Sequence, residues 1–175
     1  MRKQWITIIG IVLVLSACQP SGYQLLLDKT FDASLKSRLE DFGRDGVEKD
    51  WPSDFDKNKL VEAAIKYKGT IYRSGGTNRK GMDCSGLLYR AAKDIGLDLP
   101  HRSSDIARLG QIVPTRGRLR RGDLIFFTGD GRQLITHSGI MISHHQFIHV
   151  SSSKGCVITD LTKAYWRDHF LFGTR

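Results

Sequence analysis

Helical periodicity is strongest in two segments of the chain. The first is the stretch "LVEAAIKYKG", in which apolar residues recur at i, i+3, i+4 and i+7. This is the spacing of an amphipathic helix that buries one face. Asp54 or Asp56 can cap the start of this helix, and Gly69 can end it. Its apolar positions are Leu60, Ala63, Ala64 and Tyr67.

The second helical segment lies between Lys80 and Pro100. Its apolar residues again share one helical face, and Gly96 follows as a C-terminal stop. The pattern places Cys84 in the first turn of this helix. The apolar face consists of Leu87, Leu88, Ala91, Ala92 and Ile95.

After Pro114 the period changes to that of short strands. Several runs rich in β-branched and aromatic residues follow one another, separated by the turn sequences "TGDGRQ" and "SHHQ". We predict three or four antiparallel strands behind the two helices, which is an α+β arrangement with helices packed on a β-meander. The runs are "DLIFF", "THSGIMIS", "QFIHVS" and "CVITDL".

The compact domain is predicted to span residues 51–175. Residues 18–50 mix short apolar patches such as "YQLLL" with charged stretches. We interpret this part as a tether that contains one weak helix at most.

The amino terminus has the three-part pattern of a secretory signal peptide over residues 1–17. Arg2 and Lys3 precede an apolar run from Trp5 to Leu15, and small residues follow. The run is shorter than the ~20 residues of a comfortable membrane span. The ending "LSAC" resembles a bacterial lipobox, which implies cleavage before Cys18 and a lipid on its sulfur. The alternative is an ordinary signal peptide or membrane anchor with an incidental cysteine.

The lipobox resemblance predicts a location in the cell envelope. Gln19 stands where an aspartate would resemble an inner-membrane retention signal, so the outer membrane is favoured in a host with two membranes. The chain would then work outside the cytoplasm, where an oxidising compartment permits Cys84 and Cys156 to pair. A simply buried Cys156 is the other interpretation.

The formal net charge of +9 suits an anionic partner such as a nucleic acid, a membrane surface or an acidic polymer. The basic residues are scattered, however, and no zinc-finger spacing, Gly-rich phosphate loop or aromatic–basic motif is present in the sequence. We therefore predict no nucleic-acid partner. The charge fits a solvated basic surface.

Cys84 carries the main chemical hypothesis. A thiol at a helix N-terminus faces the positive end of the helix dipole, which favours the nucleophilic thiolate. His137 and His149 fall in consecutive predicted strands, where their imidazoles can meet over the helix start. Together they predict a cysteine hydrolase with Cys84 as nucleophile, His137 as base and His149 as the residue that orients it.

A zinc site is the rival interpretation of these three residues, because cysteine and histidine also bind zinc. Against it, Cys84, His137 and His149 form no close Cys-x-x-Cys or His-x-x-x-His pair with one another. His144 and His145 fit an exposed turn, and His101 fits either a surface loop or the wall of a cleft. We predict neither a metal nor a cofactor.

Four motifs carry a family resemblance. They are "MDCSGL" around Cys84, "LRRGDLIFF" at 119–127, "THSGIMI" around His137 and "QFIHVSSSKGCVITDL" around His149. In order and spacing they resemble the NlpC family of bacterial cell-wall cysteine peptidases, over about residues 57–175. The lipobox is similar to that of the lipoprotein members.

The resemblance implies a reduced papain-like fold and hydrolysis of amide bonds in peptidoglycan stem peptides, typically between D-γ-glutamate and the diamino acid. It implies the same roles for Cys84, His137 and His149. It also implies a substrate groove, where "LPHRSSDIARLG" departs from the family's usual Leu-Pro-Arg-Ser sequence. The groove residues implied by position are Tyr72, Asp83, Ser85 and Ser103.

The function predicted from the sequence is therefore that of a lipid-anchored endopeptidase whose partners are peptidoglycan stem peptides and a membrane. A thiol amidase or acyltransferase acting on another substrate is the alternative within enzymes, because one fold hosts several chemistries. A non-catalytic lipoprotein scaffold is the alternative outside them.

Overall fold

The structure is a computed structural model that describes residues 20–51, 55–129 and 133–175. The predicted signal peptide, the lipobox cysteine Cys18 and the candidate cap Asp54 lie outside the described residues.

The described residues form six α-helices, one short 3₁₀ helix and eight strands. The helices are α1 (Gly22–Lys29), α2 (Ala33–Arg44), α3 (Lys57–Ile65), α4 (Cys84–Lys93), α5 (Ser103–Ile106) and α6 (Ala164–His169), with the 3₁₀ turn at Arg116–Arg118. The strands are β1 (Thr77–Asn78), β2 (Gly81–Met82), β3 (Ile112–Val113), β4 (Leu124–Phe127), β5 (His137–Met141), β6 (Gln146–Ser151), β7 (Gly155–Asp160) and β8 (Phe170–Thr174).

Both helices expected from the periodicity are present. Asp56 caps α3 by accepting the backbone N–H groups of Asn58 and Lys59. The chain leaves that helix through Gly69, whose φ of +88° is the left-handed conformation that favours glycine. The predicted apolar faces of both helices are buried, apart from partly exposed Ile95.

The main sheet is antiparallel throughout, in the order β3-β8-β4-β5-β6-β7. Its centre, β4 to β7, is the meander expected from the sequence. The edge strand β3 is only two residues long, and β8 follows directly on α6. Neither shows a periodicity of its own, so the predicted three or four strands fall short of the six found. The α+β class is confirmed.

The sheet has a core on each face. Helices α3 and α4 pack against each other and against β5, and α4 also packs against β6. This larger core contains Leu87, Leu88 and Ile148, all without solvent exposure. A smaller apolar cluster includes Phe127 and Phe147, with Trp166 of α6 packed against it.

Residues 20–50 differ from a tether with one weak helix. They form both α1 and α2, and buried Leu26, Leu39 and Phe42 join the main core. The Glu48 carboxylate accepts the backbone N–H groups of Gly22 and Ile112, each at 3.0 Å, and so ties α1 to β3. The sequence does not reveal this burial, because the residues that these side chains contact in the core lie far along the chain.

Asp123 links the start of β4 to Arg175. Its carboxylate is fully buried and accepts hydrogen bonds from the Arg175 guanidinium at 3.0 and 2.8 Å and from the Arg120 backbone N–H at 2.8 Å. The Lys57 ammonium lies 3.6 Å away. A buried carboxylate is tolerated because these partners replace its lost hydration.

Within the described ranges, no helix combines the length and apolar character needed to cross a bilayer.

The docking of the N-terminal helices can be tested by Leu39→Ala. Because Leu39 is fully buried in the main core, the substitution should lower the free energy of unfolding by about 2–4 kcal/mol, as large-to-small core changes do. Urea unfolding of the full chain measures this. Ser37→Ala, at an exposed site of the same helix, is the matched control. Equal stability of the two variants would mean that α2 does not pack on the domain.

Candidate active site

The site is organised by the cap of helix α4. Oδ1 of Asp83 accepts the Gly86 backbone N–H at 2.8 Å and the Ser85 hydroxyl at 2.9 Å. Its Oδ2 accepts the Gly75 backbone N–H at 2.6 Å. One carboxylate therefore starts the helix and fastens the preceding glycine loop to it, which fixes the position of Cys84.

Close backbone contact strengthens this junction. A side chain at Gly86 would place its Cβ 2.0 Å from the carbonyl oxygen of Gly76, so only glycine fits there. The Asp83 backbone N–H donates to the same carbonyl at 3.1 Å. The glycine of the "CSG" sequence is thus required by packing.

Cys84 is the first residue of α4, partly exposed and not in a disulfide. It lines an open cleft of about 490 Å³. Thr136, the residue before His137, lines the same cleft, and the packing of α4 on β5 brings the two sides together. The other lining residues are Phe42, Ser85, His101, Arg102, Ser103, Ser104, Gln133, Leu134 and Ile135.

Beside this cleft, the side chains of His137, His149 and Thr159 form a hydrogen-bonded chain. Nε2 of His137 lies 2.9 Å from Nδ1 of His149, and Nε2 of His149 lies 2.9 Å from the Thr159 hydroxyl oxygen. The three residues lie on the adjacent strands β5, β6 and β7. Both ring nitrogens of His149 are thereby engaged, so its ring orientation is fixed.

Aromatic rings shield this pair from water, so that His149 is almost fully buried and His137 is half-buried. The Trp166 ring lies 5.3 Å from that of His137 and 4.7 Å from that of His149. Phe147 stacks on His149 at 4.7 Å, and Phe127 lies 6.0 Å from His137. Burial lowers the pKa of His137 from 6.5 to about 4. Burial and the neighbouring His137 lower that of His149 to about 3. Both imidazoles are therefore neutral at pH 7.

The hydrogen-bond chain allows a definite proton arrangement. If Nε2 of His137 donates to Nδ1 of His149, the His149 Nε2–H donates to Thr159, and Nδ1 of His137 keeps its lone pair. That nitrogen has no hydrogen-bond partner among the described residues. It is the atom available to receive a proton from a thiol.

The four residues predicted to line a substrate groove have different positions. Ser85 and Ser103 line the cleft, and Ser103 is joined to buried Ser138 on β5 by a 3.0 Å hydroxyl–hydroxyl contact. Asp83 has the capping role described above. Tyr72 is 41% exposed and forms a parallel bridge with Met82, two residues before Cys84. Their contact with a substrate stays a prediction.

The other candidates are accounted for as follows. His101 lines the cleft and stacks on Tyr89 at 3.8 Å. His144 and His145 lie in the exposed turn before β6, as predicted. Cys156 is fully buried and unpaired, and burial raises the pKa of its thiol to about 12. In the part of the chain that the structure describes, no three His, Cys, Asp or Glu side chains are grouped to hold a metal ion.

Thr159, Ser138 and Trp166 were not identified from the sequence. Thr159 sits in the run "CVITDL", whose pattern indicates only a strand. Its contact with His149 depends on the pairing of β6 with β7, in which Thr159 faces Phe147 and His149 faces Val157. Trp166 reaches the histidines only because α6 packs under the sheet. No local signal could have indicated either contact.

The family model of the NlpC/P60 family matches residues 69–175. The chain belongs to the NlpC/P60 family. The match covers the glycine loop, the Cys84 helix and the strands that carry both histidines, so this NlpC/P60 domain contains the candidate site in full.

Curated relatives agree with this assignment. The chain is 36% identical over 117 residues to the Escherichia coli K12 protein named murein DD-endopeptidase MepS/murein LD-carboxypeptidase, covering 65% of this chain and 60% of that protein. The chain is 40% identical over 113 residues to the probable endopeptidase NlpC of the same organism, covering 63% and 72%. The chain is 28% identical over 178 residues to a probable endopeptidase NlpC homolog from Haemophilus influenzae, and the match covers 95% of this chain and 94% of that protein. The chain thus spans about three fifths of the length of the first of these relatives.

Solved NlpC/P60 structures share the fold. The NlpC/p60 domain of the peptidoglycan hydrolase SagA superposes with a TM-score of 0.60 at 23% identity, covering 69% of this chain and 99% of that one. A family protein from Bacillus cereus gives 0.62 at 26% identity, covering 71% and 40%.

The buried histidine pair predicts acid sensitivity. Both folded-state pKa values lie below the ordinary 6.5, so below pH 6.5 the unfolded chain binds protons that the folded chain does not. The free energy of unfolding should therefore fall as the pH drops from about 6.5 towards 4. The free energy of unfolding of His149→Asn should fall less steeply than that of the wild type over this range, as measured by urea unfolding.

His144→Asn is the matched control, because His144 lies in an exposed turn. It should keep the wild-type slope. Identical pH dependence for the wild type and for His149→Asn would contradict burial of a neutral imidazole at position 149.

Proposed function

We propose that this protein hydrolyses amide bonds in the stem peptides of bacterial peptidoglycan, through a cysteine–histidine–histidine triad. One observation carries the proposal: the thiol at the start of α4 lines the same cleft as Thr136, which directly precedes His137 of the hydrogen-bonded histidine pair. Family membership and the names of relatives, murein DD-endopeptidase and probable endopeptidase, support it. The bond proposed is that between D-γ-glutamate and the diamino acid.

The first half-reaction forms an acyl-enzyme. The Cys84 sulfur attacks the carbonyl carbon of the scissile amide, and its proton passes to Nδ1 of His137. Since burial keeps His137 neutral in the resting protein, the imidazole is ready to accept this proton. His137 then gives the proton to the departing amine nitrogen as the C–N bond breaks.

The second half-reaction releases the peptide acid. His137 takes a proton from water, the resulting hydroxide oxygen attacks the thioester carbon, and the proton returns to sulfur as the C–S bond breaks. His149 and Thr159 hold the His137 ring in one orientation through both steps. The imidazolium formed in each step is stabilised by their aligned dipoles rather than by a carboxylate.

The start of α4 supplies donors for the developing oxyanion. The Gly86 N–H is satisfied by Asp83, and the Leu87 N–H by the Asp83 carbonyl. The N–H groups of Cys84 and Ser85 have no acceptor within the helix, because they belong to its first turn. In the proposed reaction these two groups donate to the carbonyl oxygen on which negative charge builds up, as in an oxyanion hole.

The lining of the cleft suits a peptide that carries free carboxylates. Arg102 is exposed at the cleft and presents a guanidinium, which pairs well with carboxylate groups. Ser85, Ser103 and Ser104 add hydroxyl donors along the same wall. The stem peptides of peptidoglycan have this combination of carboxylates and amides.

We also propose a location in the cell envelope, with Cys18 lipidated and the catalytic domain on the membrane surface. The basic start, apolar run and "LSAC" sequence of residues 1–18 support this proposal. The outer membrane, facing the periplasm, is the site proposed for a host with two membranes.

Digestion of peptidoglycan fragments tests the activity. The full chain in detergent should release new stem-peptide products that mass spectrometry assigns to one bond, and Cys84→Ala should release none. Cys156→Ala, which removes the buried second thiol, should retain activity. Activity surviving in Cys84→Ala would remove the nucleophile from the proposal. Inactive but folded wild-type protein would favour another amide or an acyl-transfer substrate, or a scaffold role.

The positioning role of Thr159 is separately testable. Thr159→Val keeps the shape but removes the hydroxyl, so kcat should fall roughly tenfold, the equivalent of about one hydrogen bond. KM should change little, because Thr159 does not line the cleft. Thr159→Ser should restore most of kcat. Unchanged kcat in Thr159→Val would show that His149 needs no partner on β7.

A further inference from the structure

The sheet has a strongly basic end, which we define by Arg118, Arg120, Arg121, His144 and His145. All five residues are exposed. Arg118, Arg120 and His144 line one cavity of about 420 Å³, and His144 and His145 line an adjoining one of about 520 Å³. Arginine and histidine side chains from two separate loops therefore converge on one surface.

The arginines of the basic end lack ion-pair partners among the described residues. Arg118 and Arg120 form no ion pair with any described residue. The nearby carboxylate of Asp123 is buried and already bound by Arg175. The pKa of Lys57 is lowered, mainly by burial, with Arg175 and Arg120 contributing and Asp123 opposing. Cations thus outnumber the single carboxylate at the start of β4.

Four carboxylates lie at its margin. Glu48 and Asp50 line a cavity with Arg118, and Glu48 accepts the backbone N–H groups of Gly22 and Ile112. Hydrogen bonds from Thr162 are the main cause of the lowered pKa of Asp160. A hydrogen bond from Arg167 is the main cause of the lowered pKa of Asp168. None of these carboxylates forms an ion pair with an arginine of the basic end.

The strands place the basic end opposite the candidate active site. His137 is the first residue of β5, and the turn carrying His144 follows the last residue of that strand. Likewise Arg120 and Arg121 precede β4, whose final residue Phe127 faces His137 in the sheet register. At about 3.3 Å per residue, β5 alone separates the two ends by roughly 13 Å.

The chain enters the domain at the same basic end. Pro20 and Ser21 line a cavity of about 550 Å³ together with Arg118 and Arg175, and the acidic residues Glu48 and Asp50 line it as well. Cys18 and the apolar run from Trp5 to Leu15 lie immediately upstream in the sequence. Whatever holds those residues to a bilayer therefore also brings the basic end to its surface.

We infer that the basic end docks on the anionic headgroups of the membrane that anchors the chain. Attraction between arginines and an anionic bilayer acts over about one Debye length, 8–10 Å, and the short link to Pro20 keeps the basic end within that range. Docking turns the opposite end of the sheet, with Cys84 and His137, away from the lipid. The cleft then faces the wall peptides that we propose as substrates, so the inference rests in part on the proposed membrane anchorage.

Hydrogen exchange of the full chain in lipid nanodiscs tests the inference. Backbone amides of residues 117–121 and 143–146 should exchange at least about threefold more slowly in discs of phosphatidylglycerol than in discs of phosphatidylcholine, and the difference should shrink at high salt. Arg118→Glu with Arg120→Glu should abolish it. The milder pair Arg118→Gln with Arg120→Gln should reduce it and guards against misfolding of the first variant.

Lys66→Glu with Lys68→Glu is the matched control, because these exposed lysines follow α3 at the other end of the sheet. This control should keep the protection. Equal exchange in both lipids, or protection that survives in both arginine variants, would overturn the inference. The mass of the anchored chain shows separately whether Cys18 is lipidated. Digestion of peptidoglycan by the same arginine variants measures catalysis separately. Failure of the proposed function would therefore be distinguished from failure of membrane docking.

Discussion

The packing of the apolar face of α4 on β5 and β6 is the constraint on which the site depends. This face has no solvent exposure at Leu87, Leu88, Ala91 and Ala92. Its packing therefore fixes both the rotation of α4 about its own axis and the position of α4 along the sheet. The Asp83 cap and the contact between Gly86 and Gly76 then determine where the helix begins. Cys84 at the first position of α4 and Thr136, the residue before the first position of β5, consequently line one cleft.

Shielding of the histidine pair from solvent is the second physical feature of the site. Three aromatic residues on two strands and α6 contact the histidine pair, and burial lowers the pKa of both imidazoles well below 6.5. No carboxylate hydrogen-bonds either imidazole among the described residues. His149 and Thr159 serve instead as neutral hydrogen-bond partners whose geometry is set by antiparallel pairing.

The antiparallel meander also gives the molecule two distinct ends. Each turn between neighbouring strands emerges at one end or the other, so residues close in sequence separate and residues far apart converge. The arginines before β4 and the histidines after β5 meet at one end, and His137, His149 and Thr159 meet at the other. Helices α1 and α2 close the fold at its edge through Glu48 and Arg108, the latter donating to the carbonyl of Gly46.

The sequence by itself determined the local elements and their chemistry. Helical spacing predicted α3 and α4, and short runs rich in β-branched and aromatic residues predicted the central strands. The motifs around Cys84, His137 and His149 indicated the family to which the chain belongs. These features depend on neighbours along the chain, so they can be read from the chain. Only the tertiary structure decided which distant groups touch. The burial of α2, the ion pair of Asp123 with Arg175, the contact of Thr159 with His149 and the cover of Trp166 all join residues whose partners no local pattern specifies, because strand register and helix docking are set by the packing of the whole core.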